Sequence, residues 1–192
     1  MQSTIPTLRA GAHLGNQPSI IKGRVWKYGD GVNTDVIFPG KYTYTLKVPQ
    51  EIAAHALEDL DARFVAEAQP GDVIVAGRNW GNGSSREQAV TALKYKGVAA
   101  VVAKSFARIY FRNGINQGLL LITCPEAVDA AQSGDTIEVD IGNNVIRLRE
   151  REFLFPPLSS TALGIINDGG LIPHLRKKLG LTNTEAVPLG GE

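Results

Sequence analysis

Residues 72–76, 98–103 and 119–123 are short apolar stretches with almost no polar interruption, separated by polar, glycine-bearing segments. Such runs lack the alternation of a half-exposed strand, so they read as strands covered on both faces. After the glycine-rich segment 77–83, residues 86–96 are rich in helix formers and stop at Gly97, a residue suited to a left-handed C-cap. Between the second and third runs, Ser105 is placed to cap a helix reaching about Asn113, with Phe106, Ile109 and Tyr110 on a shared core-facing side. The order strand, helix, strand, helix, strand predicts parallel pairing with right-handed crossovers.

The flanking sequence changes the period. Residues 20–28 are β-branched and aromatic enough for a strand, and Gly29, Asp30, Gly31 and Asn33 supply turn chemistry. A short apolar piece, 35–38, ends at Pro39 and Gly40, and 49–60 carries Ile52, Ala53, Ala56 and Leu57 at helix spacing. Residues 136–141 and 145–148 flank Gly142-Asn143-Asn144, a hairpin signal that sets an antiparallel element beside the parallel one. Helices over 160–167 and 171–179 close the pattern. The expected organisation is one α/β domain over residues 20–181, between a polar N-terminal arm, 1–19, and a polar C-terminal tail, 182–192.

Composition narrows the function classes. The chain has 192 residues, 43% hydrophobic, enough for one ordinary core. Lys and Arg number 20 against 19 Asp and Glu, so the net charge of +1 gives no field for collecting nucleic acid. With Cys124 as the one cysteine, the chain can form no internal disulfide and no cysteine cage for zinc or an iron–sulfur cluster. No signal-peptide core or run of 18 apolar residues is present, so the expectation is a cytoplasmic protein that makes no use of a membrane.

The candidate chemistry lies in Gly77-Arg78-Asn79-Trp80-Gly81-Asn82-Gly83-Ser84-Ser85-Arg86-Glu87, at the carboxyl end of a buried strand, where open α/β sheets collect ligands. Its glycines permit close backbone approach, a helix start favours an anion, and Ser84, Ser85 and Arg86 add two hydroxyls and a fixed positive charge. Ser84 with Glu87 is also a capping box, which by itself needs no function. A nucleotide-phosphate loop is disfavoured because no Lys-Ser or Lys-Thr pair follows Gly83.

Four segments taken in order resemble one family: Asn33-Thr34-Asp35-Val36-Ile37-Phe38-Pro39-Gly40-Lys41-Tyr42, Gly71-Asp72-Val73-Ile74-Val75-Ala76-Gly77, Gly81-Asn82-Gly83-Ser84-Ser85-Arg86-Glu87-Gln88-Ala89 and Lys104-Ser105-Phe106-Ala107-Arg108-Ile109-Tyr110-Phe111-Arg112-Asn113. They look like small subunits of 3-isopropylmalate dehydratase and the mobile C-terminal domain of aconitases, over about residues 23–121. The resemblance implies a swivelling β/β/α three-layer domain with a parallel central sheet and a second, antiparallel sheet. It also implies a partner, a large catalytic subunit carrying a [4Fe-4S] cluster, with no cofactor in this chain. The substrate implied is a small branched malate, and the reaction interconverts 2-isopropylmalate and 3-isopropylmalate in leucine biosynthesis.

Carried over residue by residue, the resemblance implies Ser84 as the base and Ser85 and Arg86 as substrate-binding groups. Asp35 would orient Arg86 or the serine, or else would sit in an Asx turn. Thr43 and Tyr44 belong to a segment that reads the variable group of the substrate; 43–46 carries no arginine, which favours an uncharged branch. Asn82 stands where the family often has cysteine, and the 43–46 segment is unfamiliar, which keeps another branched malate such as dimethylmalate open. A non-enzymatic anion-binding module is the alternative of a different class. Arg108 and Arg112, four apart on a helix, rank below Arg86, with solvent-facing or salt-bridged roles as their alternative. His13, His55 and His174 lack metal spacing; Trp26 and Cys124 read as packing residues, and Trp80 as a packing residue or, from its place in the glycine loop, as a wall of the site.

Overall fold

The computed structural model describes residues 19–181; the expected arm and tail lie almost wholly outside the described residues. Its strands are β1 (Ile20–Lys27), β2 (Val73–Ala76), β3 (Ala100–Ala103), β4 (Leu120–Thr123), β5 (Thr136–Asp140), β6 (Val145–Leu148) and β7 (Arg151–Leu154). The helices are α1 (Thr34–Ile37), α2 (Pro49–Ala54), α3 (Ala62–Glu67), α4 (Gln88–Lys96), α5 (Arg108–Gln117), α6 (Pro125–Ala130), α7 (Ser160–Asn167) and α8 (Leu171–Lys178), with a 3-10 turn at Gly40–Tyr42.

All seven strands form one curled sheet in the order β4-β3-β2-β1-β5-β6-β7. Its parallel and antiparallel parts meet on β1. Val25, Trp26 and Lys27 pair in parallel with Val73, Ile74 and Val75, while Ile20 to Arg24 pair antiparallel with β5. At the crossing, a Cβ on Gly23 would stand 2.1 Å from the Gly71 carbonyl oxygen, so only glycine lets β1 pass from one partner to the other.

The unbroken apolar runs follow from burial on both faces. Val73, Val75, Ala100, Val102, Leu120 and Ile122 point into a core shared with α6, α7 and the antiparallel strands. Ile74, Ala76, Val101, Ala103 and Leu121 point the other way, toward α2, α3 and α4. Each fully buried valine, leucine or isoleucine contributes about 1.5–3 kcal/mol of transfer free energy, so the two faces together dominate the stabilisation. The antiparallel strands curl over one face of the parallel ones, which gives the layering β, β, α.

The expected elements are present with shifted ends, and three further ones are added. The helix expected over 49–60 stops at Ala54, a turn carries the chain to Leu60, and α3 follows, capped by Asp61, whose Oδ1 accepts the Arg63 N–H at 3.0 Å. α6 begins on Pro125, and β7 adds an edge strand paired to β6. The segment 35–38 is the helical turn α1, capped by Asn33, whose Oδ1 accepts the Val36 N–H at 2.9 Å.

Candidate active site

Three loops meet at the carboxyl ends of the parallel strands and are stitched together by main-chain bonds. Gly81 N–H donates to Val32 O and Thr34 N–H to Asn82 O, each at 2.8 Å. Trp80 N–H donates to Ser105 O at 3.0 Å, and Ala107 N–H to Trp80 O at 2.9 Å. Segment 79–83 is thereby held between the loop after β1 and the loop after β3. Trp80 is sealed beneath it as a packing residue rather than as a wall of the site.

Ser84, half-buried, stands at the end of this stitched segment. The buried Thr34 hydroxyl oxygen accepts the Ser84 N–H at 3.1 Å and lies 2.9 Å from Ser84 Oγ and 3.4 Å from Ser84 O. Thr34 has one proton to give, and the shorter, better contact is to Oγ. With that assignment, Thr34 donates to the serine hydroxyl, and such a donor favours the ionised oxygen over the neutral one. Thr34 lies within a recognised motif yet was not singled out; its role rests on a contact 50 residues away in sequence.

The expected Ser84–Glu87 capping box does not form. α4 starts at Gln88 with Glu87 as its cap residue and no side-chain cap bond, because the Ser84 hydroxyl is turned to Thr34. The serine therefore precedes the first helical turn, and a hydroxyl partner takes the place expected for the helix's positive end. Ser105 likewise does not cap α5: its Oγ accepts the Asn79 N–H at 2.9 Å and the helix begins at Arg108.

Arg86 donates to Asp35 Oδ1 with side chains 28% and 52% exposed, so the pair is partly screened. The Asx geometry of this segment belongs to Asn33, leaving the Asp35 carboxylate free to hold the guanidinium. Ser85 is exposed; its carbonyl accepts from the buried Asn113 amide of α5 at 3.2 Å, which ties the serine segment to that helix. Thr43 follows the 3-10 turn with its Oγ1 enclosed and unpartnered, and Tyr44 is 87% exposed.

Ser84 opens into a cleft of about 1000 Å³ whose lining includes Asn79, Ser105, Phe106, Arg108, Ile109, Phe111, Arg112 and Thr123. Ser85, Arg86, Asp35, Thr43 and Tyr44 are not among its lining residues; the Arg86–Asp35 pair lies apart from the cleft wall. The expectation of Ile109 as core is corrected: α5 turns it outward, 43% exposed, while Tyr110, Asn113, Gly114 and Ile115 face inward. Burial pushes the Tyr110 phenol above its ordinary range, with the neighbouring Trp80 indole N–H pulling the other way. Neither group completes a hydrogen bond of normal geometry.

Among the described residues no three His, Cys, Asp or Glu side chains come together to hold a metal, and Cys124 is buried against the Leu154 carbonyl. No helix of the described residues is long and apolar enough to cross a membrane.

The aconitase C-terminal domain family matches residues 32–127. A protein of Caldicellulosiruptor bescii named 3-isopropylmalate dehydratase small subunit is 48% identical over 162 residues, covering 83% of this chain and 97% of that one. The protein of the same name in Aquifex aeolicus is 48% identical over 161 residues, covering 82% and 95%. A crystal structure titled 3-isopropylmalate dehydratase, from Methanocaldococcus jannaschii, superposes with a TM-score of 0.80 at 43% identity, covering 84% of this chain and 96% of that one.

Proposed function

The chain belongs to the 3-isopropylmalate dehydratase small subunits, built on the aconitase C-terminal domain, and from that premise we propose that it interconverts 2-isopropylmalate and 3-isopropylmalate with a large subunit, Ser84 acting as base. The name small subunit itself implies such a partner. The observation that carries the reading is the Ser84 hydroxyl, open to a cleft on one side and bonded at 2.9 Å to a buried threonine hydroxyl on the other.

In the dehydration step the ionised Ser84 Oγ takes a proton from the carbon beside a substrate carboxylate, the neighbouring hydroxyl takes a second proton from an acid that the large subunit would supply and leaves as water, and a double bond forms. Addition of water in the opposite sense, with Ser84 returning its proton, gives the isomer. A serine hydroxyl is a weak base, so its ionised form needs donors that persist through the reaction. Thr34 supplies one such donor, and the Arg86 guanidinium, oriented by Asp35, would meet the negative charge that builds on the carboxylate. A cluster held by the large subunit would supply Lewis-acid assistance to the departing hydroxyl. Ser85, next to Arg86 and exposed, would bind the substrate with it in this reading, and the segment of Thr43 and the exposed Tyr44 would meet its branch.

An uncharged branch is favoured. Segment 43–46 has no cation, and nearby Lys41 is committed to Glu58 at 2.8 Å and Asp59 at 3.6 Å. A second carboxylate placed there would lack a partner.

The test is Ser84→Ala in the reconstituted complex. Loss of a general base lowers kcat by about 10²–10⁴-fold, with melting temperature and binding to the large subunit unchanged. Near-normal turnover removes Ser84 from the mechanism, and profiling the wild-type complex on isopropylmalate against dimethylmalate decides the branch.

A further inference from the structure

On one face of α5, Arg108 and Arg112 sit four residues apart with Ile109 beside them, all three exposed and all three lining the cleft beside Ser84. We propose that this face is the seat of an acidic segment of the large subunit, whose carboxylates pair with the two guanidiniums as the cleft closes. The proposal rests on the functional reading above, which supplies the partner, and adds where and by what chemistry that partner binds.

Charge accounting around the cleft points this way. Arg86 is paired with Asp35, and Lys104, at the end of β3, with Asp129. Arg108 and Arg112 take part in none of the ion pairs among the described residues. The cleft lining contains these two cations and no carboxylate. An ionised serine is favoured by its donors where the site is shielded from bulk solvent, and covering an unpaired guanidinium is strongly unfavourable. Whatever closes the cleft must therefore bring negative charge.

Size separates a protein segment from the substrate as the source of that charge. The cleft's volume of about 1000 Å³ stands at the top of the roughly 300–1,000 Å³ range that encloses drug-sized ligands. A malate with a short branch fills a small part of it. An exposed isoleucine beside two arginines also has the make-up of an interface centre, apolar contact with Arg anchors. The platform is prepared for docking, because Tyr110, Asn113, Gly114 and Ile115 fix the opposite side of α5 in the fold and Asn113 ties it to Ser85.

The experiment measures binding of the full chain to the cluster-bearing large subunit for wild type, Arg108→Glu, Arg112→Glu and, as a distant control of equal charge change, Arg151→Glu on edge strand β7. Each α5 reversal is expected to raise Kd at least about tenfold and to flatten its salt dependence; the control leaves Kd unchanged. KM for isopropylmalate at saturating large subunit shifts by less than about threefold. An unchanged Kd with a raised KM overturns the proposal in favour of a substrate carboxylate on these arginines, and unchanged Kd and KM overturn it in favour of a solvated face. Melting temperatures report folding, and the neutral pair Arg108→Gln and Arg112→Gln repeats the test if a reversal unfolds the chain. Wild-type complex that assembles without dehydrating isopropylmalate refutes the functional reading while leaving the docking measurement to be read on its own.

Discussion

Replacing Gly81 by alanine tests whether the segment leading to Ser84 is held by close contact with α5. Gly81 has φ of +75°, and a Cβ there would lie 2.1 Å from Tyr110 Cγ and 2.4 Å from Cδ2. Tyr110 is 1% exposed and cannot swing away. One alanine in left-handed backbone costs about 1–2 kcal/mol, and forcing a methyl into a filled core about 1–3 kcal/mol. The sum, about 2–5 kcal/mol, corresponds to roughly 4–20 °C in Tm at about 2–4 °C per kcal/mol for a chain of this size. Urea unfolding followed by fluorescence and far-ultraviolet circular dichroism gives the value by linear extrapolation. Gly29, where a Cβ meets nothing within 4 Å, is the control; its alanine variant should lie between no change and a gain of about 1 kcal/mol. Adding Tyr110→Ala to Gly81→Ala removes Cγ and Cδ2 and leaves only Cβ, at 2.6 Å, in the way, so most of the steric part is relieved, the backbone part stays, and the double variant loses less than the sum of the singles. A loss under about 1 kcal/mol for Gly81→Ala, or strict additivity with Tyr110→Ala, refutes the reasoning.

Two further outcomes follow from buried carboxylates. Asp72 accepts from Trp26 Nε1 at 2.7 Å and from the Gln69 N–H at 3.0 Å; Asp72→Ala orphans both donors and should cost about 2–4 kcal/mol, measured by denaturant unfolding, and a loss below 1 kcal/mol would mean that water replaces the carboxylate. Asp140 is held below the usual carboxylate range by the side chain and backbone N–H of Asn143 and, further down, by Arg147, with burial opposing. Its folded pKa lies below the unfolded value of about 3.9, so its stabilisation is present above about pH 4 and disappears as pH falls through the folded value. Asp140→Asn should therefore be less stable than wild type at neutral pH and show a shallower acid limb; identical acid limbs by circular dichroism would contradict the assignment.

The parallel half of the sheet was legible because its side chains face core on both sides, leaving no alternation to misread. The hairpin of β5 and β6 was legible from Gly142-Asn143-Asn144. β7 escaped because Arg151-Glu152-Phe153-Leu154 offers the core a single strand residue, Phe153. α3 and α6 are six residues each, too short for a period, although Pro125 followed by Glu126 is a helix-start signal that could have been used. In the site, Ser84 and Arg86 stand out from the glycine-rich segment at a strand end, their roles and Asp35 come from resemblance, and the Arg86–Asp35 contact joins residues 51 apart, a distance no local rule spans. The capping box and the Ser105 cap failed for one reason: each serine oxygen is taken by a partner brought in from another loop. Local patterns identify which side chains can cap, but the tertiary competition decides what they bond.

The double allegiance of β1 bears on how the nascent protein matures. Its partner β2 emerges from the ribosome early, whereas β5 is translated roughly 110 residues after β1, which at about 5–20 residues per second is a wait of roughly 5–20 s. Through that interval the Ile20 to Arg24 main chain offers unclaimed donors and acceptors to any passing strand. Chaperone capture or intermolecular pairing during synthesis should therefore concentrate on this stretch, whose antiparallel partner is made long after the parallel partner of the same strand.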